Sequence, residues 1–260
     1  MPTRDQVPTG APCWVDLWTS DTEAATRFYG ALFGWEVAEP DPQFGGYFNF
    51  TRKGEWIAGC MGDMGDMKAN DAWKVYLSVD DVEQSYRAAV AAGAVAFGEP
   101  MAVAELGTQF VFADPSGASL GAWQPGSFTG FSTLGEHGSP AWFELVTSDY
   151  QGARDFYARA FSWNIETMAD TPEFRYSTMQ DPGGGDQLAG IMDGSAILAE
   201  GEPSRWVLYF GVDDVDAAVG EVERLGGSIR QEPQDSPYGR VAEITDSTSS
   251  ILRIITPPTG

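Results

Sequence analysis

Two carboxylates, Asp16 and Glu144, stand in matched stretches of a 260-residue chain, WVDLWTSD and WFELVTSD, among apolar and aromatic neighbours. A carboxyl held out of water resists ionisation, which suits a general acid or base working near neutral pH. The competing reading is structural: a carboxylate that only accepts hydrogen bonds from a neighbouring tyrosine, indole or backbone N–H. Other chemistries lack their residues. The single histidine, His137, lies in GSFTGFSTLGEHGSP, a Gly- and Ser-rich stretch that reads as a surface linker, so Ser-His-Asp and Cys-His catalysis are excluded. A site built on several histidines within one chain is excluded by the same count. The two cysteines, Cys13 and Cys60, are too few for a zinc site or a disulfide framework and read as packed, reduced thiols.

The elements that position the two carboxylates repeat. Trp142 follows Trp14 by 128 positions, and the same spacing pairs Leu17 with Leu145, Asp21 with Asp149, Phe28-Tyr29 with Phe156-Tyr157, and Trp35 with Trp163. Further on the spacing becomes 133, matching Trp73, Tyr76 and Val79-Asp80-Asp81-Val82 to Trp206, Tyr209 and Val212-Asp213-Asp214-Val215. The chain is therefore a tandem copy of one domain. Each copy is itself double. Pro12 to Thr19 has the alternation of a strand, and Ser20 with Glu23 reads as a capping box opening a helix. Ala25, Phe28, Tyr29, Leu32 and Phe33 form the apolar face of that helix. Strand patterns follow near Trp35–Ala38, Tyr47–Arg52 and Trp56–Met61, and the order β-α-β-β-β then recurs from Lys74. The expected domains are 8–126 and 139–260, joined by a linker at 127–138, with modules at about 11–66, 72–126, 139–195 and 204–258.

Fifteen Lys and Arg against 38 Asp and Glu give a formal charge of −23, which repels phosphate backbones and anionic lipid headgroups. Nucleic acid and membrane partners are not expected. The start MPTRDQVPTG carries no apolar signal region, and no segment approaches the roughly 20 apolar residues of a membrane span, so a cytoplasmic protein is expected.

Four β-α-β-β-β units, the helix ATRFYGALFGW after a strand, and the SVDDV and GVDDV helix starts together resemble the vicinal oxygen chelate superfamily. It includes glyoxalase I, extradiol dioxygenases, fosfomycin resistance enzymes and bleomycin resistance proteins. The likeness spans nearly the whole chain and is strongest to two-domain, glyoxalase-like actinobacterial proteins, some from antibiotic gene clusters. It implies an α+β fold in which paired modules curl into cup-shaped mixed sheets, helices outside and ligand inside.

On that fold, strand alternation turns Trp14, Asp16, Trp18, Lys74, Tyr76 and Trp123 of the first half, and Trp142, Glu144, Tyr209 and Arg253 of the second, toward a cup interior, whether the cups form within each half or across the two. Lys74 is then a partner for Asp16 or a cation facing the ligand, and Arg253 the same for Glu144. The positions at which metal-dependent relatives carry ligands read Trp14, Lys74 and Gly121 in one half and Trp142, Val207 and Arg253 in the other. None is an imidazole or a carboxylate, so no metal and no other cofactor is expected. Cys60 and Gln187 are the plausible donors on the strand that supplies the fourth ligand. A hard cation held by Asp16 or Glu144 is the remaining metal reading.

The leading expectation is a metal-free protein, monomer or homodimer, that binds a hydrophobic aromatic small molecule such as a natural product, in self-resistance or as a biosynthetic accessory. Trp14, Trp18, Lys74, Tyr76, Trp123, Trp142, Tyr209 and Arg253 are its candidate ligand contacts, forming an open aromatic pocket. The first alternative is a metal-independent enzyme on a similar substrate (cyclisation, hydration, isomerisation or hydroxylation) with Asp16 or Glu144 as acid or base. The second is a metal-dependent lyase or dioxygenase.

Overall fold

The computed structural model describes residues 7–40 and 42–256; the ends of the expected second domain and of its last module lie outside them. The first half runs β1 (Pro12–Trp18), α1 (Thr22–Phe33), β2 (Glu36–Val37), β3 (Phe48–Arg52), β4 (Glu55–Met61), β5 (Ala72–Ser78), α2 (Val82–Ala91), β6 (Val95–Ala96), β7 (Met101–Val103), β8 (Gly107–Ala113) and β9 (Ser119–Pro125). The second runs β10 (Pro140–Thr147), α3 (Tyr150–Phe161), β11 (Asn164–Asp170), β12 (Arg175–Gln180), β13 (Gln187–Asp193), β14 (Arg205–Gly211), α4 (Val215–Val222), β15 (Ser228–Ser236), β16 (Gly239–Thr245) and β17 (Ile251–Thr256).

Each half forms its own sheet. The strand orders are β2-β3-β4-β1-β5-β9-β8-β6 and β11-β12-β13-β10-β14-β17-β16-β15, so the modules pair within a half and not across halves. In both sheets the two central strands are antiparallel to each other, and each is flanked by a parallel neighbour. This is the expected α+β architecture of tandem vicinal oxygen chelate domains. No helix among the described residues is long and apolar enough to cross a membrane.

All four helices start the same way. Asp21, Asp81, Asp149 and Asp214 stand at the N-caps, and each side chain accepts from the backbone N–H three residues on. The expected Ser20–Glu23 box is corrected: Asp21 is the cap of α1, with Oδ1 2.9 Å from the Ala24 nitrogen, while Ser20 hydrogen-bonds to Asp71. A carboxylate satisfies the orphan donor and also opposes the positive end of the helix.

Val15 and Leu17 are fully buried on the helix-bearing face of the first sheet. The helix-bearing faces of the two halves meet, and the repeated aromatics hold that seam reciprocally. Tyr29 donates to Asp246 at 2.8 Å and accepts from the Trp73 indole, while Tyr157 donates to Asp114 at 3.0 Å and accepts from the Trp206 indole. Trp35 donates to the Gly138 carbonyl and Trp163 to the Gly10 carbonyl. Burial, reinforced by the facing carboxylate, keeps both tyrosines protonated far beyond the phenol range. The two aspartates are themselves anchored by their own turns, through Ser116 and Ala118 and through Thr248 and Ser250.

The connector is not a solvated linker. Phe131 is 1% exposed, stacks on Phe143 at 5.6 Å, and its N–H bonds the Cys13 carbonyl. His137 is also held, its Nδ1 accepting from the Asp213 N–H at 3.2 Å. Phe131 seats the connector against both halves, while Ser127, Thr129 and Glu136 stay exposed.

Candidate functional site

Alternation along β1 sends Trp14, Asp16 and Trp18 to the face opposite the helices. The antiparallel partner β5 sets Tyr76 across from Trp14 and Lys74 across from Asp16, and the parallel partner β4 sets Gly59 beside Asp16. Asp16 is thus the centre of the first cup. Its Oδ1 accepts from the Trp14 indole at 2.9 Å and from the Tyr47 hydroxyl at 2.9 Å, and the indole also reaches the Tyr47 oxygen at 3.0 Å. Tyr47 fits because Gly59 has no side chain: a Cβ there would sit 1.8 Å from the Tyr47 hydroxyl and 2.2 Å from the Asp16 carboxylate. Gly121 plays the same part for Tyr76, whose ring would lie 2.2 Å from an added Cβ.

Burial raises the Asp16 pKa above the usual carboxylate range, and the opposing pull of Tyr47, Tyr76, Lys74 and Trp14 does not restore it. Burial, then the Asp16 charge, keeps the Tyr47 and Tyr76 phenols protonated. Lys74 is a weaker cation than an ordinary lysine because burial penalises its charge more than Asp16 favours it. Its ammonium lies 5.9 Å from the centre of the Trp18 ring, and among the described residues no carboxylate oxygen comes within 4.0 Å of it.

One ring from the connector covers this cup. Phe128 meets Trp14 edge-on at 4.8 Å, tilts on Trp56 at 5.3 Å and reaches Trp123 at 6.1 Å, and its carbonyl accepts from the Trp123 indole. Beneath it Trp14, Tyr76 and Trp123 are buried, while Asp16, Trp18, Asn49 and Lys74 stay partly accessible. A groove of about 290 Å³ runs beside Phe128, lined by Trp56, Glu55 and Ser132.

The second cup repeats the geometry with other chemistry. Trp142 lies across from Tyr209, Glu144 across from Val207 and beside Gly190, and Tyr209 beside Arg253. The Trp142 indole donates to Tyr176 at 3.0 Å, as Trp14 does to Tyr47. Glu144, however, accepts from Arg253 at 2.7 Å and from Tyr209 at 3.1 Å, and Arg253 also donates to Tyr209 and to Glu243. Glu243 in turn accepts from Arg230. The Glu144 and Arg253 side chains are only 6% and 13% exposed. Val146, Val207, Tyr209 and Ile255 form a small apolar cluster on this face, with Leu198 packed on it.

The sequence-predicted residues therefore divide between two separate cups: Trp14, Asp16, Trp18, Lys74, Tyr76 and Trp123 in one, Trp142, Glu144, Tyr209 and Arg253 in the other. The expected open aromatic pocket is corrected: the rings sit in two largely filled cups, one within each half. Arg253 does partner Glu144; Lys74 forms no ion pair with Asp16. The larger groove, about 480 Å³, lies at the seam between Arg52, Lys53, Glu136, His137 and Asp213, away from both carboxylates. Its walls mix both charges and carry no Phe, Tyr or Trp ring, so the cups remain the better-furnished sites for an aromatic ligand.

On the strands expected to supply a fourth ligand, Gly59 lies beside Asp16 and Gly190 beside Glu144. The expected donors fail: Cys60 pairs with Leu17 and is buried on the helix face, and Gln187 pairs with Gln180 and donates to the Met168 sulfur. An indole, an ammonium and two glycines do not fit a divalent cation, nor do an indole, a valine, a glycine and a guanidinium. Among the described residues no group of three His, Cys, Asp or Glu side chains could hold one.

Tyr47, Tyr176, Gly59, Gly190, Phe128 and Glu243 complete the sites and were not foreseen. A signal for the glycines exists: Ala58-Gly59 with Met61 recurs as Ala189-Gly190 with Met192.

Residues 13–121 match the family described as Glyoxalase-like domain, and residues 139–251 the Glyoxalase/Bleomycin resistance protein/Dioxygenase superfamily. The chain is 35% identical over 254 residues to the anthracycline biosynthesis protein DnrV of Streptomyces peucetius, covering 91% of this chain and 90% of that one. Among solved structures it superposes on a Mn(II)-bound glyoxalase from Novosphingobium aromaticivorans with a TM-score of 0.67 at 15% identity, covering 96% of this chain and 82% of that one. A catechol 2,3-dioxygenase gives 0.65 at 10% identity, covering 98% and 90%. Both structures share the fold with this chain. With both halves matched and the doubled sheet on the page, this chain belongs to the glyoxalase/bleomycin resistance protein/dioxygenase superfamily, as a two-domain vicinal oxygen chelate protein.

Proposed function

We propose that the chain binds a flat, hydrophobic aromatic natural product in its first cup, without a divalent metal, in the biosynthesis of that compound or in protection against it. The observation that carries this reading is the furnishing of the first cup. Asp16 is held there by neutral indole and phenol donors across from Lys74, which forms no ion pair, with the Trp18 ring beside Lys74 toward one end of the strand and Trp56 and Phe128 in contact toward the other. Stacking and area burial on such rings favour planar ligands, and the few polar groups fix their orientation. The likeness to an anthracycline biosynthesis protein supports a polycyclic aromatic ligand. The protein is cytoplasmic on this reading and works as a monomer or homodimer.

A second reading is favoured by one feature. The raised pKa of the partly accessible Asp16 suits an acid or base that takes a proton from, or gives one to, an aromatic ligand in the same cup, in a cyclisation, hydration, isomerisation or hydroxylation.

Titration of the purified protein with polycyclic quinones, followed by tryptophan quenching and native mass spectrometry, tests the first reading. One organic mass per chain without stoichiometric metal is expected. Stoichiometric metal, with chelation abolishing binding, overturns it. Asp16→Asn separates the two readings: a binder keeps its affinity within a few-fold, whereas an acid–base enzyme loses turnover by about 100-fold or more.

A further inference from the structure

A cation facing an aromatic cup with no carboxylate to pair it is costly, because the ammonium gives up hydration without a protein partner in exchange. The second half avoids this cost twice over. Val207 takes the place of Lys74, and the cation that does enter, Arg253, is neutralised by Glu144 at 2.7 Å and Glu243 at 3.0 Å. The first half keeps Lys74. Its cross-strand neighbour Asp16 forms no ion pair with it; the Asp16 Oδ1 accepts instead from Trp14 and Tyr47. Gly121 lines the same face where Arg253 lines the other, so no second charge approaches from β9. The Trp18 ring is the one described neighbour that attracts the ammonium besides Asp16.

We propose that Lys74 anchors an ionised oxygen of the ligand, a carboxylate or an acidic phenol attached to the aromatic system, with the ring plane laid against Trp18. This rests on the first cup being the ligand site, and it narrows the ligand class from flat aromatics to aromatic acids. The opposing field of the chain, at a net charge of −23, makes the local cation the element that admits such a ligand. The partly accessible Asn49 is then the neighbouring donor for the ligand's other oxygens, the Tyr47 hydroxyl being committed to Asp16.

The test compares anthraquinone carboxylate, hydroxyanthraquinone and anthraquinone carboxamide on the intact protein by isothermal titration calorimetry. The carboxylate is expected to bind about tenfold or more tightly than the carboxamide, the gain of one charge-assisted hydrogen bond. Lys74→Met is expected to remove that preference while leaving the carboxamide affinity within a few-fold, and Lys74→Arg to keep most of it. A preference for hydroxyanthraquinone that grows as its hydroxyl ionises, and that Lys74→Met abolishes, assigns the oxygen to a phenol. Equal affinities for carboxylate and carboxamide in the wild type, with no phenol preference, overturn the role of Lys74 and leave the aromatic site standing. Failure of all three compounds to bind overturns the site as well.

Discussion

The two cups start from one plan and resolve their buried charge in opposite ways. Both place a carboxylate at the centre of β1 or β10, an indole two residues earlier, a tyrosine hydroxyl bonded to that indole, and a glycine beside the carboxylate. In the second cup the carboxylate is closed into a Glu144–Arg253–Glu243–Arg230 chain and capped by apolar side chains, which is a solution for stability. In the first cup the same position holds a carboxyl that resists ionisation, a cation without an ion pair and a single covering phenylalanine. Duplication lets one copy carry rigidity while the other keeps polar groups uncommitted, and uncommitted polar groups are what a ligand can use.

The largest expected effect breaks this asymmetry at its firmest point. Arg253→Met leaves Glu144 and Glu243 buried without their shared cation and should cost about 3–5 kcal/mol in urea unfolding. Lys74→Met in the first cup should cost little or stabilise. Equal costs for the two would abolish the distinction between the cups.

A middle-sized effect sharpens the comparison by showing where the halves remain alike. Asp114→Ala and Asp246→Ala each strand a buried tyrosine hydroxyl and loosen a turn, and each should cost about 1–3 kcal/mol, with the two values close to one another. Thermal melts of both variants check this; a large disparity would mean that the seam is not reciprocal.

The smallest effect depends on pH. The Asp16 pKa is raised in the folded chain, so folding favours its protonated form. That contribution is present at low pH and is lost as pH rises from the ordinary carboxylate value, about 4, through the folded value. Asp16→Asn should therefore match the wild type in acid and gain in melting temperature relative to it as pH increases. A constant difference across the range would place the Asp16 carboxyl in water. Glu144→Gln, which weakens an ion pair, should destabilise at neutral pH.

Much of this was legible in the sequence for a definite reason. Strand alternation is strict, so Val15 and Leu17 could be assigned to one face of β1 and Trp14, Asp16 and Trp18 to the other before any coordinates. The doubled Trp-to-Trp stretches disclosed the tandem domains because their spacing is kept. Register between strands is a different kind of information. Tyr47 and Gly59 meet Asp16 through pairings whose offset is set by turns, and nothing in the local composition of β3 or β4 specifies it. The connector misled for the converse reason: its glycines and serines describe a solvated run, and Phe131 seats it once opposing walls exist. Trp35 and Tyr29 were visible as repeated residues, but their partners, Gly138 in the connector and Asp246 in the other half, carry no local signature.

The reciprocal seam has a consequence for the molecule as a folding unit. Each helix layer is completed by residues from the other copy, through Tyr29 with Asp246 and Tyr157 with Asp114, so losing either turn leaves a buried phenol without its acceptor in the opposite half. Two repeats that share buried polar partners in this way are coupled in stability, so a change in one half's turn is felt in the other half's core.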